Sequence, residues 1–177
     1  MRSASASWSA ITAVSGSNPN LGEGPRSFSH SRPESAGDAE QPHILLVEDN
    51  RLDVLLVQEA LELHRVPAVL HVVEDGEAAM RFIDAADRDI QSACPALVLL
   101  DLNLPKRTGT EVLRYLRHSR KCSGAKVLIV SSSDAPAERT TVQSLGANGY
   151  FRKPSSYDQF LEIGQLVLKL LKDDPDK

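Results

Sequence analysis

The segment ALVLLD, residues 96–101, limits the fold more than any other stretch of the chain. Five apolar residues run straight into a carboxylate. An apolar run with no polar alternation reads as a strand buried on both faces, and such strands belong to parallel sheets covered by helices. HILLV (43–47) and KVLIV (126–130) read the same way, and AVLHVV (68–73) and NGYFR (148–152) as shorter or weaker strands. Between the strands, apolar residues recur at helical spacing. Leu52, Leu55, Leu56, Ala60 and Leu63 mark the first helix. GEAAMRFIDAA, TEVLRYLRHS and AERTTVQSL mark the next three. The last helix, within residues 156–172, carries a stripe of Phe160, Ile163, Val167, Leu168 and Leu171. Strand and helix alternate five times, which predicts an α/β doubly wound, five-stranded parallel sheet, a (βα)5 unit.

The rest of the chain narrows the class. Its 177 residues fit one domain with a tail. A net charge of −4 argues against a broad basic surface, so no nucleic-acid partner is expected. No apolar run approaches the ~18 residues of a membrane helix. Residues 1–41, rich in Ser, Ala, Gly and Pro, lack apolar periodicity and read as a disordered extension rather than a targeting signal. The domain is expected over 42–172, with a short charged tail at 173–177. Cys94 and Cys122 show no metal or redox spacing and read as two reduced thiols in a cytoplasmic protein. The five histidines show no metal-type spacing either.

A doubly wound sheet gathers its site at the carboxyl ends of the strands. There the sequence places Glu48 and Asp49 after strand one, Asp101 after strand three, Ser131–Ser133 after strand four, and Lys153 after strand five. Asp49 to Asp101 and Asp101 to Lys153 are each 52 positions, two crossovers of ordinary length. Clustered carboxylates raise one another's pKa, and a divalent cation relieves the repulsion. Hard oxygen donors on a small open site favour Mg²⁺. With a lysine opposite, the arrangement suits a phosphoryl group carried on an aspartate oxygen. Taken singly, each feature has a plain reading: an Asp after a strand is usually a cap, and Asn50 or Asp49 could simply cap the first helix.

LLVEDN (45–50), LLDLNLPKRTG (99–109), VLIVSSSD (127–134) and LGANGYFRKP (145–154) together resemble the response-regulator receiver domain of bacterial two-component systems, over about residues 42–172. Within that family, VEDGEAAM, DLNLPKRTGTEVL and LGANGYFRKP look most like the single-domain regulators paired with bacterial phytochrome kinases. The resemblance implies a flavodoxin-like receiver fold and a phosphoacceptor role for Asp101, which would become a 4-aspartylphosphate. It implies Mg²⁺ held by Asp49, Asp101 and the Asn103 backbone carbonyl, with Glu48 helping through water. It makes Lys153 the partner of the phosphoryl group, Ser131 the switch hydroxyl and Tyr150 the switch aromatic, with small Ser132 leaving access. It also implies a cis Lys153–Pro154 bond. The donor would be a sensor histidine kinase, possible contact points being Lys106 and Arg107, and self-dephosphorylation would be the only catalysis.

The 24 residues that follow Lys153 leave room for one helix, so output through a protein contact or onward phosphate relay is expected. Two readings of the last helix stay open: a broad core face that also takes in Leu166 and Leu170, or a homodimer or partner patch on the helix 4–strand 5–helix 5 surface. Two other functions compete with the phosphoacceptor. An aspartate-dependent phosphatase needs an acid two residues after its nucleophile, where this chain has Asn103. A phosphorylation-independent scaffold has no need of Glu48, Asp49, Asp101, Ser131 and Lys153.

Overall fold

Strand and helix alternate as the sequence predicts. The computed structural model describes residues 41–89 and 92–173. The order is β1 (His43–Val47), α1 (Arg51–Leu63), β2 (Val69–Val73), α2 (Gly76–Arg88), β3 (Leu97–Leu100), α3 (Gly109–Arg117), β4 (Lys126–Ser131), α4 (Pro136–Ser144), β5 (Gly149–Arg152), α5 (Tyr157–Leu161) and α6 (Ile163–Lys172). All strand pairs are parallel, in the order β2-β1-β3-β4-β5. The chain runs from β1 to β2 on one side, then crosses back over β1 to reach β3 on the other. That reversal opens a crevice at the carboxyl ends of β1 and β3, where such sheets bind ligands.

Successive strand residues point to opposite faces, so each apolar run feeds two cores. Leu45, Val47, Val98, Leu100, Val127 and Ile129 pack with residues of α2, α3 and α4. Ile44, Leu46, Leu97, Leu99, Leu128 and Val130 pack on the other face with residues of α1, α5 and α6. The first three helices start where capping side chains stand. Asn50 accepts from Leu52 N at 2.9 Å, Asp75 accepts from Ala78 N at 2.7 Å, and Thr108 and Glu111 form a capping box.

Four expectations need correction. The last helix is two: a turn at Glu162 separates α5 from α6. Beside it, Gly164 lies so close to the His64 ring and Ala60 O that a Cβ would collide with both. Its buried side comprises Phe160, Leu161, Ile163 and Val167, with Leu166, Leu170 and Leu171 packed against them, so the broad core face is what the structure has. In α1 the buried residues are Val57, Ala60 and Leu61, whereas Leu52, Leu55 and Leu63 are exposed. No cis peptide bond occurs among the described residues, so Lys153–Pro154 is trans; Lys153 is seated by a bond from its backbone N to Ser131 O.

The fourth correction concerns the cysteines. Cys94 and Cys122 form a disulfide, with Cα atoms 5.3 Å apart. A separation of 28 residues hid this. Cys94 lies just before β3 and Cys122 just before β4, and those strands are neighbours that begin with Leu97 beside Lys126. The bridge staples their amino ends, opposite the crevice. Closing a loop of that length contributes about 3–4 kcal/mol by restricting the unfolded chain. Reduction is therefore expected to lower the unfolding free energy of the wild type by about 3 kcal/mol in urea titrations, and to leave a Cys94→Ser/Cys122→Ser variant unaffected. Equal wild-type midpoints with and without reductant would contradict the bridge.

Candidate functional site

The sheet ladder runs one residue past its strands and fixes the rim. Glu48 N donates to Val73 O at 3.0 Å, Asp101 N to Val47 O at 3.1 Å, and Lys153 N to Ser131 O at 2.9 Å. These bonds hold Glu48, Asp101 and Lys153 at the mouth of the crevice. The loop after β3 folds back tightly, with Gly109 N donating to Leu102 O at 3.0 Å. A Cβ on Gly109 would collide with Asp101 O, so only glycine lets this turn close beneath the aspartate. Lys106, in the left-handed region at φ 65°, brings its ammonium to Asp75 at 2.5 Å and ties the loop to the start of α2.

The Lys153 ammonium sits at the centre of the rim. Its Nζ lies 2.6 Å from Asp101 Oδ2, 2.7 Å from Glu48 Oε2 and 2.8 Å from Asp53 Oδ2. An ammonium has three N–H donors, and here three carboxylates accept from them. The other oxygens of Glu48 and Asp101 are also engaged: Glu48 Oε1 accepts from Asn50 N at 3.1 Å and Asp101 Oδ1 from Asn103 N at 2.9 Å. Burial pushes the Glu48 carboxyl above its ordinary pKa, only partly offset by Lys153. Burial works against the Lys153 charge, but its hydrogen bonds to Asp101, Asp53 and Glu48 outweigh that and raise its pKa.

Glu48, Asp49 and Asp101 each offer a carboxylate oxygen, and these atoms lie within 4.8 Å of one another. Two are buried and Asp49 is exposed, so the group is open to solvent on one side. Three hard anionic oxygens around a small space fit a divalent cation that keeps some of its water, as Mg²⁺ does.

The structure thus brings together Glu48, Asp49, Asp101 and Lys153 as the sequence predicted. Asn50, not Asp49, caps α1, which leaves Asp49 free for the rim. Asn103 is exposed and touches Asp101 through its backbone N–H. Ser131 is fully buried at the end of β4, and its Oγ accepts from Ser133 N at 3.2 Å. Tyr150, on β5, donates its hydroxyl to Ser133 O at 2.9 Å and lies under the Arg139 guanidinium, 5.3 Å from the ring centre. Small Ser132 is exposed. Sequence reasoning missed Asp53. The available signal was its place in the first turn of α1, the helix that starts directly after the Glu48–Asp49 rim.

Residues 44–164 match the family model of the response regulator receiver domain. The response regulator Rcp1 of Synechocystis sp. is 34% identical over 122 residues, which are 69% of this chain and 83% of Rcp1. The crystal structure of the phosphorylated cyanobacterial phytochrome response regulator RcpA superposes with a TM-score of 0.68 at 32% identity, covering 75% of this chain and 95% of that one. The Mn²⁺-bound form of Rcp1 superposes with a TM-score of 0.67 at 31% identity, covering 75% and 96%.

Removing the central cation should expose the cost of the acids around it. Breaking a buried ion pair by deleting one partner leaves an uncompensated charge. Lys153→Met, unfolded with urea in the presence of EDTA, is expected to be less stable than wild type by about 3 kcal/mol. Unchanged stability would mean that Glu48 and Asp101 do not depend on the lysine.

Proposed function

The chain belongs to the response-regulator receiver family of two-component systems, and from that premise we propose that Asp101 accepts a phosphoryl group from a phosphohistidine of a sensor histidine kinase. The observation that carries this assignment is the 2.6 Å contact of Lys153 Nζ with Asp101 Oδ2, beside a three-carboxylate oxygen cluster. A carboxylate oxygen of Asp101 attacks phosphorus. An O–P bond forms, the P–N bond breaks, and the imidazole leaves. The product is a 4-aspartylphosphate. Lys153 gives the bond it makes to Asp101 to a phosphoryl oxygen and stabilises the charge there. Glu48, Asp49 and Asp101, with the Asn103 backbone carbonyl, would hold Mg²⁺, whose charge offsets that of the phosphoryl oxygens. Later attack by water on phosphorus releases phosphate and restores the Asp101 carboxylate.

The signal leaves through Ser131 and Tyr150. Ser131 Oγ and the Tyr150 hydroxyl both bond the Ser133 backbone, so movement of Ser131 toward a phosphoryl oxygen pulls on the segment that holds Tyr150. Tyr150 also lines a surface cavity of 220 Å³ with Ser133 and Arg139. α4 buries only Val142, so this element can shift at small cost in packing. The α4–β5 surface, with the solvent-facing side of the last helices rather than their buried stripe, is then the output face, as a homodimer or partner contact.

The kinase would dock on α1, where Leu52 and Leu55 are 70% and 59% exposed on the helix that also brings Asp53 to the rim. Lys106 and Arg107 are weaker contact points, being paired with Asp75 and Glu111. Likeness to RcpA and Rcp1 supports a phytochrome-type kinase. A cytoplasmic location belongs to the same proposal; glutathione there acts against the Cys94–Cys122 bridge. Asn103 at the place of an acid/base disfavours a phosphatase, and the intact cluster disfavours a scaffold.

Incubation with acetyl phosphate and Mg²⁺ is expected to place one hydroxylamine-labile phosphate on the wild type and none on Asp101→Asn. EDTA should abolish labelling. Equal labelling of the two proteins would overturn the assignment.

A further inference from the structure

Lys153 has more partners than the phosphoacceptor reaction uses. Of its three carboxylates, Asp101 is the proposed acceptor and Glu48 belongs to the oxygen cluster that fits a cation. Asp53 belongs to neither. It sits in the first turn of α1, off the sheet, yet its Oδ2 lies 2.8 Å from Nζ. Its side chain is 19% exposed and that of Lys153 11%, so the pair is shielded from water. A negative charge in the first turn of a helix is also favoured by the helix dipole.

We propose that Asp53 is a positioning residue for Lys153, resting on the phosphoacceptor reading above. The ammonium has three N–H directions set by one tetrahedral nitrogen. Holding two of them aims the third. Glu48 and Asp53 supply the two holds, and the third N–H points at Asp101. Glu48 has a competing task, because the cation that its cluster fits would draw on the same carboxylate. Asp53 has none, and it keeps Lys153 anchored while Glu48 turns to the cation. A lysine side chain has four rotatable bonds, and the loss of an anchor returns that freedom to it. The phosphoryl oxygens would then meet an ammonium that spends less time in reach.

The alternative view of Asp53 makes the opposite forecast. Were it only one more negative charge near the acceptor, its removal would favour an anionic donor, and phosphorylation would speed up. The two views separate on sign.

Wild type, Asp53→Ala, Asp53→Asn and Asp53→Glu are compared at saturating Mg²⁺ with acetyl phosphate as the donor. Loss of one charge-assisted hydrogen bond is expected to slow labelling of Asp53→Ala by about tenfold. Asp53→Asn, whose amide oxygen still accepts, should fall between, and Asp53→Glu should recover most of the rate. A second readout is the ¹⁵N-detected Lys153 ammonium signal in the absence of donor. It is expected to be sharp and protected from exchange in the wild type and Asp53→Glu, and broadened in Asp53→Ala. Labelling of Asp53→Ala at or above the wild-type rate, or an unchanged ammonium signal, would overturn the proposal. Were the wild type to take no phosphate, the phosphoacceptor reading would fall, and the ammonium signal alone would still decide whether Asp53 holds the lysine.

Discussion

A single ammonium group organises the functional end of this molecule. Lys153 Nζ lies within 2.8 Å of oxygens from three carboxylates that arrive on β1, α1 and β3. Without it, Glu48 and Asp101 would be buried anions facing one another, an arrangement that costs several kcal/mol per ion. With it, Glu48, Asp53 and Asp101 are held close around one ammonium. That tension is the useful property. One positive charge among Glu48, Asp49, Asp53 and Asp101 leaves the rim short of cations, ready for a divalent ion and for a group whose oxygens bring further charge to be offset.

The sheet exists to bring these groups together from distant parts of the chain. Strands that are apolar on both faces make sense only between two helical layers. Once so covered, their carboxyl ends form an edge where polar residues can stand. Asp101 follows Leu100 directly, and its backbone N bonds to Val47 O, so the strand that builds the core also sets the carboxylate. The same ladder seats Lys153 against Ser131 O. Gly109 and the Lys106–Asp75 pair close the loop that follows Asp101.

Much of this was legible in the sequence, for a physical reason. Period and polarity reveal strands and helices, and strand ends reveal the rim, so Glu48, Asp49, Asp101, Ser131 and Lys153 could be located before any coordinates. What escaped depended on proximity that period does not encode. Asp53 reads as an ordinary acid in a first helical turn until α1 is packed on the sheet. Cys94 and Cys122 read as unrelated thiols until β3 and β4 are neighbours. Leu52 and Leu55 fit a helical stripe with Ala60, but only Ala60 of these is buried, beside Val57 and Leu61, on the side that α5 and α6 cover. The break at Glu162, and the tight packing of Gly164 on α1 beside it, are announced by no local pattern.

The central claim is that, of four acids at this rim, Asp101 alone carries the phosphoryl group. Reduction of the phosphorylated protein with borohydride converts an acyl phosphate to an alcohol, and so converts the modified aspartate to homoserine. Peptide mass spectrometry after this treatment is expected to find homoserine at position 101 and nowhere else. Reduction at Glu48, Asp49 or Asp53, with residue 101 recovered as aspartate, would contradict the account.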